Sequence, residues 1–338
     1  MSFRRILVTG AAGFIGSHFV ERALEDPEVE CVVGYDALTY AGRKEHLGEA
    51  LEDARFTLVQ GNVCDEDFLI KTLRAERIDA VVHFAAETHV DRSILGARIF
   101  METNVTGTYT VLEACKAENI ERLVHISTDE VYGPTPEGEQ FKEDAGFRPS
   151  SPYAASKASA DLFVQSFIKT HRLPALIVRG ANNFGPRQFP EKLIPFMVHR
   201  ALLGEELPLY GSGRQLRDWT YVEDFAEGVW LALQRADDGD IFNLGAGNER
   251  TNRMIVETLC DELGCDRGEI ALVADRPAHD FRYAMDSSRA VQKLGWTPKA
   301  EFDEALRATI RWFAARKDWM EKVYAETADY FKDNYAGR

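Results

Sequence analysis

The chain has 338 residues, of which 45% are hydrophobic and 28% are charged, and its formal net charge is -15. This length suits one large domain or two closely packed lobes, and the composition is that of an ordinary globular protein. The acidic balance argues against binding of nucleic acid through its phosphates. A pocket for an anionic ligand must therefore be built locally, from a few basic side chains and backbone amides.

Sequence features of secreted, membrane-spanning and metal-binding proteins are missing. No charged-then-apolar leader with a cleavage site precedes the first strand, and no apolar run approaches the ~20 residues of a membrane span. The cysteines are scattered without a CxxC pair, which favours free thiols over disulfides or zinc ligands. They are Cys31, Cys64, Cys115, Cys260 and Cys265. We expect a cytoplasmic protein that binds no metal.

The first half of the sequence alternates short strands with helices. Strands are predicted at Arg5–Thr9, Cys31–Tyr35, Phe56–Gln60, Ala80–Phe84 and Leu123–Ser127. Helices are predicted at Phe14–Leu24, Glu66–Arg74, Ile99–Lys116 and Tyr153–Thr170. This order predicts an α/β fold, a Rossmann-like doubly wound parallel sheet with helices on both faces.

From about Phe184 the sequence becomes rich in turns, which predicts a smaller C-terminal α/β substrate-binding lobe. We predict a dinucleotide-binding domain at residues 1–184, to which residues 219–244 return through segments Tyr221–Leu233 and Asp240–Leu244. The second lobe then takes residues 185–218 and 245–338, and it ends in a helical stretch at Phe302–Phe331.

A glycine-rich turn, GAAGFIG, follows the first strand and opens a helix. Glycines at this position allow a tight turn and a close approach of the backbone to a pyrophosphate at the helix N-terminus. The turn alone is a weak signal, since it is also found in purely structural loops. The proposed contacts are Gly10, Gly13, Phe14, Ile15 and Gly16.

Residues after the next strands strengthen the prediction of a bound dinucleotide. Asp36 ends the second strand, where a carboxylate can accept hydrogen bonds from ribose hydroxyls and would repel a 2′-phosphate, so NAD is favoured over NADP. Asn62 and Val63 follow the third strand and are placed to meet the adenine. Phe84, Ala85 and Ala86 follow the fourth strand and can line the cofactor.

Tyr153 and Lys157 are four residues apart on a predicted helix and therefore share one face. A cation beside a phenol favours the phenolate, and an oxidised nicotinamide ring would add to this effect, so Tyr153 could take a proton from a sugar hydroxyl. The spacing is common on helix surfaces, so the pair needs a second signal.

The second signal is STDEVYG at 127–133, at the carboxyl end of the strand before that helix. Ligands of open parallel sheets bind outside this end of the strands. Thr128 can bond the sugar oxygen that Tyr153 deprotonates. Asp129 and Glu130 are two adjacent acids that a simple dehydrogenase does not need, and the alternative is a solvated acidic turn.

The motifs together resemble the extended short-chain dehydrogenases, specifically the dTDP-glucose 4,6-dehydratases. The resemblance covers about 5–298 and includes ALTYAG, AAETHVDRS, TNVTGT, STDEVYG, YAASK, RDWTYVED and DRPAHDFRYAMD. It implies oxidation at carbon 4, elimination of water across carbons 5 and 6 with Glu130 as base and Asp129 as acid, and hydride return to carbon 6. NAD then stays tightly bound, and its further contacts are Leu38, Thr39, Gly42, Thr88, Asn104 and Ser127, beside Tyr153 and Lys157.

The resemblance also implies which residues hold the nucleotide sugar. Arg217, Arg276 and Lys192 supply the cations for the diphosphate, which the net charge made necessary. The other expected contacts are Glu87, Thr88 and Thr128 for the hexose, Asn182 or Asn183 for the sugar phosphate, Glu191 and Leu193 for the base, and Tyr210, Asn243, His279 and Tyr283 at the pocket edge.

Several alternatives remain at this point. They are a UDP-glucose 4,6-dehydratase, a 4-epimerase, a decarboxylase and a non-catalytic dinucleotide-binding protein. The acid pair disfavours the epimerase and the decarboxylase, and the retained Tyr153 and Lys157 disfavour the non-catalytic protein. The resemblance further implies a homodimer, in which Ile99–Lys116 and Tyr153–Thr170 pair with their copies. No membrane partner is expected.

Overall fold

The computed structural model describes residues 3–326 of the chain. Within this part, no helix has the length and apolar character needed to cross a bilayer. The predicted helical stretch at Phe302–Phe331 is two helices that reach residue 326, and its last five residues lie outside the described part.

The strands build one large and two small sheets. They are β1 (Arg5–Thr9), β2 (Cys31–Asp36), β3 (Phe56–Gln60), β4 (Ala80–His83), β5 (Arg122–Thr128), β6 (Ala175–Gly180), β7 (Asn182–Phe184), β8 (Leu207–Tyr210), β9 (Leu216–Tyr221), β10 (Ile241–Leu244), β11 (Glu249–Thr251) and β12 (Ile270–Val273). The large sheet has seven parallel strands in the order β10-β6-β5-β4-β1-β2-β3.

The α-helices are α1 (Phe14–Leu24), α2 (Glu66–Ala75), α3 (Val90–Leu95), α4 (Arg98–Phe100), α5 (Gly107–Ala117), α6 (Pro152–His171), α7 (Leu193–Leu203), α8 (Val222–Arg235), α9 (Asn252–Leu263), α10 (Ser288–Leu294), α11 (Phe302–Ala314) and α12 (Lys317–Glu326). Shorter 3-10 segments lie at Lys44–Glu52, Asp129–Tyr132 and Arg267–Glu269, and a π-helical turn spans Met101–Thr106.

The large sheet is buried on both faces. Along β1, Ile6 and Val8 join a core with Phe19 of α1 and Trp230 of α8, while Leu7 joins a second core on the other face. That second core includes Val111 of α5 and Val164 of α6. Successive strand residues point to opposite faces, so apolar residues at every position of a strand require cover on both sides. The predicted doubly wound fold is confirmed.

The second half adds smaller sheets around a separate core. β11, β9 and β7 form one sheet, β12 and β8 form another, and α7, α9 and α11 pack beside them. Within Tyr221–Leu233 lies most of α8, which packs on α1, and β10 pairs with β6 at the edge of the large sheet. The limits of the two lobes stay a prediction.

One predicted helix differs from the structure in its interior. The stretch Ile99–Lys116 is α4, the π-helical turn and α5 rather than one regular α-helix. The π turn contains Asn104, which is buried and bonds the backbone of Glu87 in both directions, at 2.8 and 2.9 Å. A π turn inserts one extra residue into the helix and redirects side chains, and hydrophobic periodicity alone does not reveal it.

Candidate active site

The strand order reverses between β1 and β4, since β2 and β3 lie on one side of β1 and β5 and β6 lie beyond β4. A crevice opens at such a switch point, outside the carboxyl ends of the strands. Every residue predicted to contact the cofactor follows or ends one of β1–β5, or lies on a helix beside these ends. The members of this set that are placed only by their position in the chain are Phe14, Ile15, Thr39, Val63, Phe84, Ala86 and Ser127.

The glycine turn lies at this switch point, between β1 and α1. Gly10 has a φ of +68°, and a Cβ there would lie 2.7 Å from the amide nitrogen of Ala85. A Cβ on Gly16 would lie 2.2 Å from the carbonyl oxygen of Gly10. Gly13 caps α1 without a side-chain hydrogen bond. The geometry therefore requires glycine and leaves the first amides of α1 available for an anion.

Asp36 is buried at the end of β2, and the following loop wraps around its carboxylate. Its oxygens accept hydrogen bonds from the amides of Ala12 at 2.9 Å and Leu38 at 2.8 Å. Gly42 is close enough that a Cβ would lie 2.5 Å from the carboxylate. Burial raises the pKa of Asp36 above its ordinary value, although the two amides oppose this shift. Each oxygen keeps a free lone pair, which suits the predicted bonds to a ribose.

Asn62 lies after β3, and its side-chain oxygen accepts a hydrogen bond from the amide of Cys64 at 2.9 Å.

Asn104 donates a hydrogen bond to the Ser156 hydroxyl at 2.8 Å, in addition to its two bonds with the backbone of Glu87. Asn104 thus fixes the loop after β4 to α6, and a positioning role accounts for its contacts better than direct cofactor binding.

Tyr153 and Lys157 lie in the first turns of α6, which begins at the cap Ser151 with Pro152 in the first turn. Both side chains are buried, and the Lys157 ammonium donates to the carbonyl of Ile126 on β5 at 2.6 Å. Burial lowers the pKa of Lys157 to about 8. Burial and the charge of Glu130 raise the pKa of Tyr153 well above its ordinary value, while a hydrogen bond with Thr128 opposes the shift.

The expectation that Lys157 brings Tyr153 close to neutral pH is not met by the chain alone. Burial disfavours every charged form, so it opposes the phenolate as well as the ammonium. A phenolate here needs further positive charge beside the ring, as an oxidised nicotinamide would supply.

Asp129 and Glu130 have different surroundings although they are adjacent. Asp129 is 4% exposed, accepts a hydrogen bond from the Thr128 hydroxyl at 3.1 Å, and has one carboxylate oxygen without a partner. Burial and the charge of Glu130 raise the pKa of Asp129 to about 8. Glu130 is only partly buried and lines a cavity. Burial also raises the pKa of Glu130, but three cations oppose it: Arg276, Arg217 and Lys192.

The solvated acidic turn is therefore excluded as a description of this loop. The charges of both Glu130 and Asp129 act on the Tyr153 phenol, so the acid pair and the tyrosine share one site. At neutral pH, Asp129 holds its proton, and Glu130 is the acid that nearby cations help to ionise. One acid can give a proton while the other takes one.

The cavity has a volume of 350 Å³ and extends from Glu130 into the second lobe. Most of the residues predicted to bind substrate line it. They are Thr88, Asn182, Asn183, Glu191, Lys192, Leu193, Tyr210, Arg217, Arg276, His279 and Tyr283. The structure thus brings together residues from loops that are up to 195 positions apart, counted from Thr88 to Tyr283.

The three predicted cations approach the cavity from different segments. Arg217 lies on β9, donates to the carbonyls of Leu216 and Asp280 at 2.7 and 2.9 Å, and stacks on Tyr283 at 4.6 Å. Lys192 donates to the carbonyl of Thr88 at 3.0 Å. Backbone carbonyls carry no full charge, so Arg217 keeps a net positive charge for an anionic ligand, whereas Lys192 also lies 4.0 Å from a carboxylate oxygen of Glu191.

A family model described as GDP-mannose 4,6 dehydratase matches residues 7–309. The chain belongs to this family. A dTDP-glucose 4,6-dehydratase of Shigella flexneri is 41% identical and covers 99% of each chain. Among solved structures, the dTDP-glucose 4,6-dehydratase DesIV of Streptomyces venezuelae, with NAD and dTDP bound, has a TM-score of 0.91 at 43% identity and covers 94% of this chain and 99% of its own.

A more distant neighbour is the UDP-glucose 4-epimerase of Thermotoga maritima, with a TM-score of 0.85 at 29% identity over 92% of this chain and 99% of its own. The resemblance found in the sequence motifs is thus confirmed at the level of the GDP-mannose 4,6 dehydratase family. The scaffold is shared with enzymes of other activities, so the reaction has to be argued from the site.

This family member contains cavity residues to which the sequence analysis assigned no role. Asp91 on α3 is buried, accepts from Arg276 at 3.0 Å, and accepts from the Tyr210 hydroxyl at 2.9 Å. Asp91 lay within the motif AAETHVDRS, but nothing in its spacing indicated a partner 185 positions away.

A second unforeseen group surrounds Glu87. Arg92 pairs with Glu87 at 3.3 Å and lies 3.9 Å above the ring of Tyr40, whose hydroxyl donates to Glu191 at 3.3 Å. Glu87 is thus paired beside the cavity. Tyr40 lay in the quoted segment ALTYAG, which gave no indication of this contact with the second lobe.

Two of the predicted pocket-edge residues, Asn243 and His279, differ in whether they line the cavity. Asn243 is fully buried on β10, accepts from the Tyr132 hydroxyl at 2.7 Å and donates to the carbonyls of Phe141 and Asp286. The prediction that it contacts substrate is wrong in this geometry, because its amide is used within the fold. His279 does line the cavity and is bonded to Asp275.

Proposed function

We propose that the chain is an NAD-dependent dTDP-glucose 4,6-dehydratase, which converts dTDP-glucose to dTDP-4-keto-6-deoxyglucose and water. The observation that carries the proposal is the unequal acid pair beside the tyrosine, with buried Asp129 protonated and Glu130 facing the cavity. A dehydratase needs one acid and one base in addition to Tyr153, whereas a 4-epimerase needs neither. The sequence identity of 41% to a dTDP-glucose 4,6-dehydratase, over 99% of each chain, supports the same reaction.

The residues at the switch point fit NAD. The glycine turn and the first amides of α1 suit a pyrophosphate, and the Asp36 carboxylate suits ribose hydroxyls while disfavouring a 2′-phosphate. When bound, NAD supplies a hydride acceptor that later returns the hydride to the sugar. The proposed cofactor contacts are those predicted from the sequence, with Asn104 as a support for the loop after β4.

The first proton transfer is assigned to Tyr153. Its phenol takes the proton of the carbon-4 hydroxyl as that carbon is oxidised, and Thr128 bonds the same sugar oxygen. Lys157 lies four residues after Tyr153 on the same helix. Its ammonium donates a hydrogen bond to the carbonyl of Ile126 and is thereby held against β5. With a pKa of about 8, this ammonium is mainly charged at neutral pH.

The elimination is assigned to the acid pair. A ketone at carbon 4 acidifies the proton on carbon 5, and Glu130 removes that proton from the side of the cavity. Asp129, which keeps its proton up to about pH 8, gives it to the departing carbon-6 hydroxyl, which leaves as water. When the hydride has returned to carbon 6, Glu130 gives carbon 5 a proton that has exchanged with solvent. Asp129 regains a proton and Tyr153 loses one by exchange with water, so the site returns to its starting state.

The nucleotide is assigned to the cavity. Arg217, Arg276 and Lys192 are the cations suited to the diphosphate, and arginine can bond two of its oxygens at once. Thymidine is favoured over uridine by the relatives, and the two bases differ by one methyl group. Asn243 is removed from the set of proposed contacts, and Glu87 is retained beside the hexose through its place next to Lys192.

The test is to incubate the purified protein with dTDP-glucose or UDP-glucose in deuterated water. We expect the 4-keto-6-deoxy product from dTDP-glucose, with deuterium at carbon 5 and one water lost. Faster turnover of UDP-glucose would change the nucleotide assignment. Formation of a 4-epimer without water loss, or recovery of unchanged sugar, would contradict the proposed function.

We also infer a homodimer. Large apolar side chains are exposed on the two stretches predicted to pair, including Met101, Tyr109 and Leu162 at 62%, 41% and 56% exposure. Exposed apolar patches of this kind mark contact surfaces, and α5, which carries Tyr109, lies beside α6, which carries Leu162. We expect a dimer in sedimentation analysis and a shift toward monomer in Leu162→Glu; an unshifted equilibrium would contradict the assigned surface.

We infer a cytoplasmic location for the enzyme as well. The five cysteines are free thiols, which fits a reducing compartment. Recovery of activity in the cytoplasmic fraction of cells that produce the chain would test this location.

A further inference from the structure

Asp161 shares a helix face with Tyr153 and Lys157. The three residues lie at positions i, i+4 and i+8 of α6, so their side chains follow one another along the side of the helix that packs on β5 and β6. The Asp161 side chain is 0% exposed. A buried carboxylate is costly unless it is paired and hydrogen-bonded, and the proposed reaction gives this one no role.

The partners of Asp161 come from the two strands beneath the helix. Arg179 on β6 donates to it at 2.9 Å, and His125 on β5 lies 3.5 Å from its other oxygen. Arg179 also donates to the Tyr132 hydroxyl at 2.6 Å. This buried group therefore extends from α6 to the segment that carries the acid pair.

Lys157 is held on the same strand. Its ammonium donates to the carbonyl of Ile126, the residue next to His125, and it is 4% exposed. A carbonyl dipole offsets only part of the cost of burying a full positive charge, so an ammonium in this place needs a carboxylate nearby. Asp161 is one helical turn further along the same face.

We propose that Asp161 is a positioning residue for the reaction, whose carboxylate is the counter-charge that keeps the Lys157 ammonium protonated beside Tyr153. The inference rests on the proposed function, because it assumes that the charge of Lys157 supports proton transfer at Tyr153. Asp161 itself touches neither substrate nor cofactor in this role.

The charged and titratable groups around Lys157 favour this assignment. Asp161 faces it from α6, His83 from β4 and His125 from β5, with Arg179 on β6 behind Asp161. Tyr153 lies one turn before Lys157 on the same helix. Burial lowers the pKa of His125 to about 4 and that of His83 well below its ordinary value, so both rings are neutral.

The ionisation of Asp161 is secured by its own partners. Although burial opposes it, the approach of the His125 ring and the charge of Arg179 hold the pKa of Asp161 below its ordinary range. For Lys157, burial lowers the pKa and the charge of Asp161 raises it. The carboxylate thus works against the loss of the ammonium proton at neutral pH.

A purely structural role for Asp161 makes a different prediction. If the pair with Arg179 only ties α6 to β6, its removal lowers stability and leaves the protonation of Lys157 unchanged. If Asp161 is the counter-charge, its removal lowers the pKa of Lys157 and shifts every property that depends on that charge.

The test compares the wild-type enzyme with Asp161→Asn, each with bound NAD. Two midpoints are measured: the alkaline decline of kcat with dTDP-glucose, and the pH dependence of Lys157 labelling by an amine reagent, followed by peptide mass spectrometry. Loss of a nearby opposite charge shifts a buried group by at least about one pH unit. We expect both midpoints to fall by about that amount, with KM unchanged.

A second variant covers the case in which Asp161→Asn fails to fold with Arg179 left unpaired. Asp161→Asn combined with Arg179→Met removes the ion pair as a whole, which is tolerated better than breaking it. The same fall of both midpoints is expected. Asp161→Glu should restore them toward wild type, since the carboxylate is kept.

Tyr132→Phe serves as the structural control. It removes a hydroxyl bonded to Arg179 and Asn243 without changing any charge near Lys157. We expect a lower unfolding temperature and an unchanged labelling midpoint. If the Asp161 variants lose stability but keep the wild-type labelling midpoint, the counter-charge role is wrong. If wild-type enzyme does not convert dTDP-glucose, the proposed function fails, while the labelling result still decides the pairing of Asp161 with Lys157.

Discussion

The switch point of the large sheet and the cavity of the second lobe bind their ligands in different ways. The switch point is built mainly from backbone, in which glycines bring amides to a helix N-terminus and Asp36 is held by two amides of its own neighbourhood. The cavity is built from long side chains of distant segments, such as Arg276 and Asp91, which lie 185 positions apart. A backbone site is encoded locally in the sequence, and a side-chain site depends on the complete fold.

Glu130 lies where the two regions meet, so its replacement is expected to have the largest effect. Glu130→Gln keeps the size of the side chain and removes the base, and we expect kcat to fall about a thousandfold with loss of deuterium exchange at carbon 5. NAD should stay bound, because the glycine turn is untouched.

Tyr153→Phe gives the matching control on the cofactor side. That variant should fail one step earlier, so that substrate no longer reduces the bound cofactor. Normal carbon-5 exchange in Glu130→Gln, measured by NMR, would remove the base assignment.

The proposed binding of the diphosphate in the cavity is tested by Arg276→Gln. This substitution removes a cation and keeps a hydrogen-bond donor for Asp91. We expect KM for dTDP-glucose to rise about thirtyfold, since a hydrogen bond to a charged group contributes about 2 kcal/mol. The acid limb of the kcat profile should move to higher pH, because Arg276 lowers the pKa of Glu130.

The matched control for this cavity variant is Arg267→Gln. It removes the same charge at an exposed residue paired with Asp261, away from the cavity. An equal rise of KM in this control would mean that overall charge, rather than a local contact, attracts the substrate.

The backbone site is tested by Gly16→Ala. The new Cβ would lie 2.2 Å from the Gly10 carbonyl, so the turn must shift. We expect NAD affinity to drop about tenfold, as for one lost bond to the pyrophosphate of about 1.4 kcal/mol. Gly146→Ala is the control, because a Cβ there meets nothing within 4 Å. If titration gave the same NAD affinity for both variants, the proposed pyrophosphate site at the glycine turn would be contradicted.

The smallest expected effect is the pH dependence of the wild-type enzyme. Asp129 must hold a proton, and its pKa of about 8 means that kcat declines as the pH rises through that value. Lys157 loses its charge in the same range and adds to the decline. On the acid side, Glu130 must be ionised, so kcat falls at a pH above the range of an ordinary glutamate. A kcat that stays constant to about pH 10 would contradict the acid role of Asp129.

The sequence predicted the first and last residues of some helices and strands correctly and missed other features for identifiable reasons. β1, α1 and β3 have their predicted limits, because short apolar runs with glycine or polar ends have little freedom in where they stop. The π turn at Met101–Thr106 was missed, since no local residue pattern distinguishes an inserted residue from a regular helical turn. Asn243 was given a role in binding, but only the packing of β10 reveals that its amide serves the fold.

By itself, the sequence determined the doubly wound sheet, because strands and helices alternate along the chain. It also determined the positions of the glycine turn, of Asp36 and of the acidic and phenolic groups after β5, because each follows from its place beside a strand. Only the tertiary structure decided how Asp129 and Glu130 differ, that burial raises the pKa of Tyr153, and that Asp91 and Tyr40 contact residues of the cavity. Burial and long-range charge pairs arise when distant segments meet, and they set protonation states that no local pattern carries.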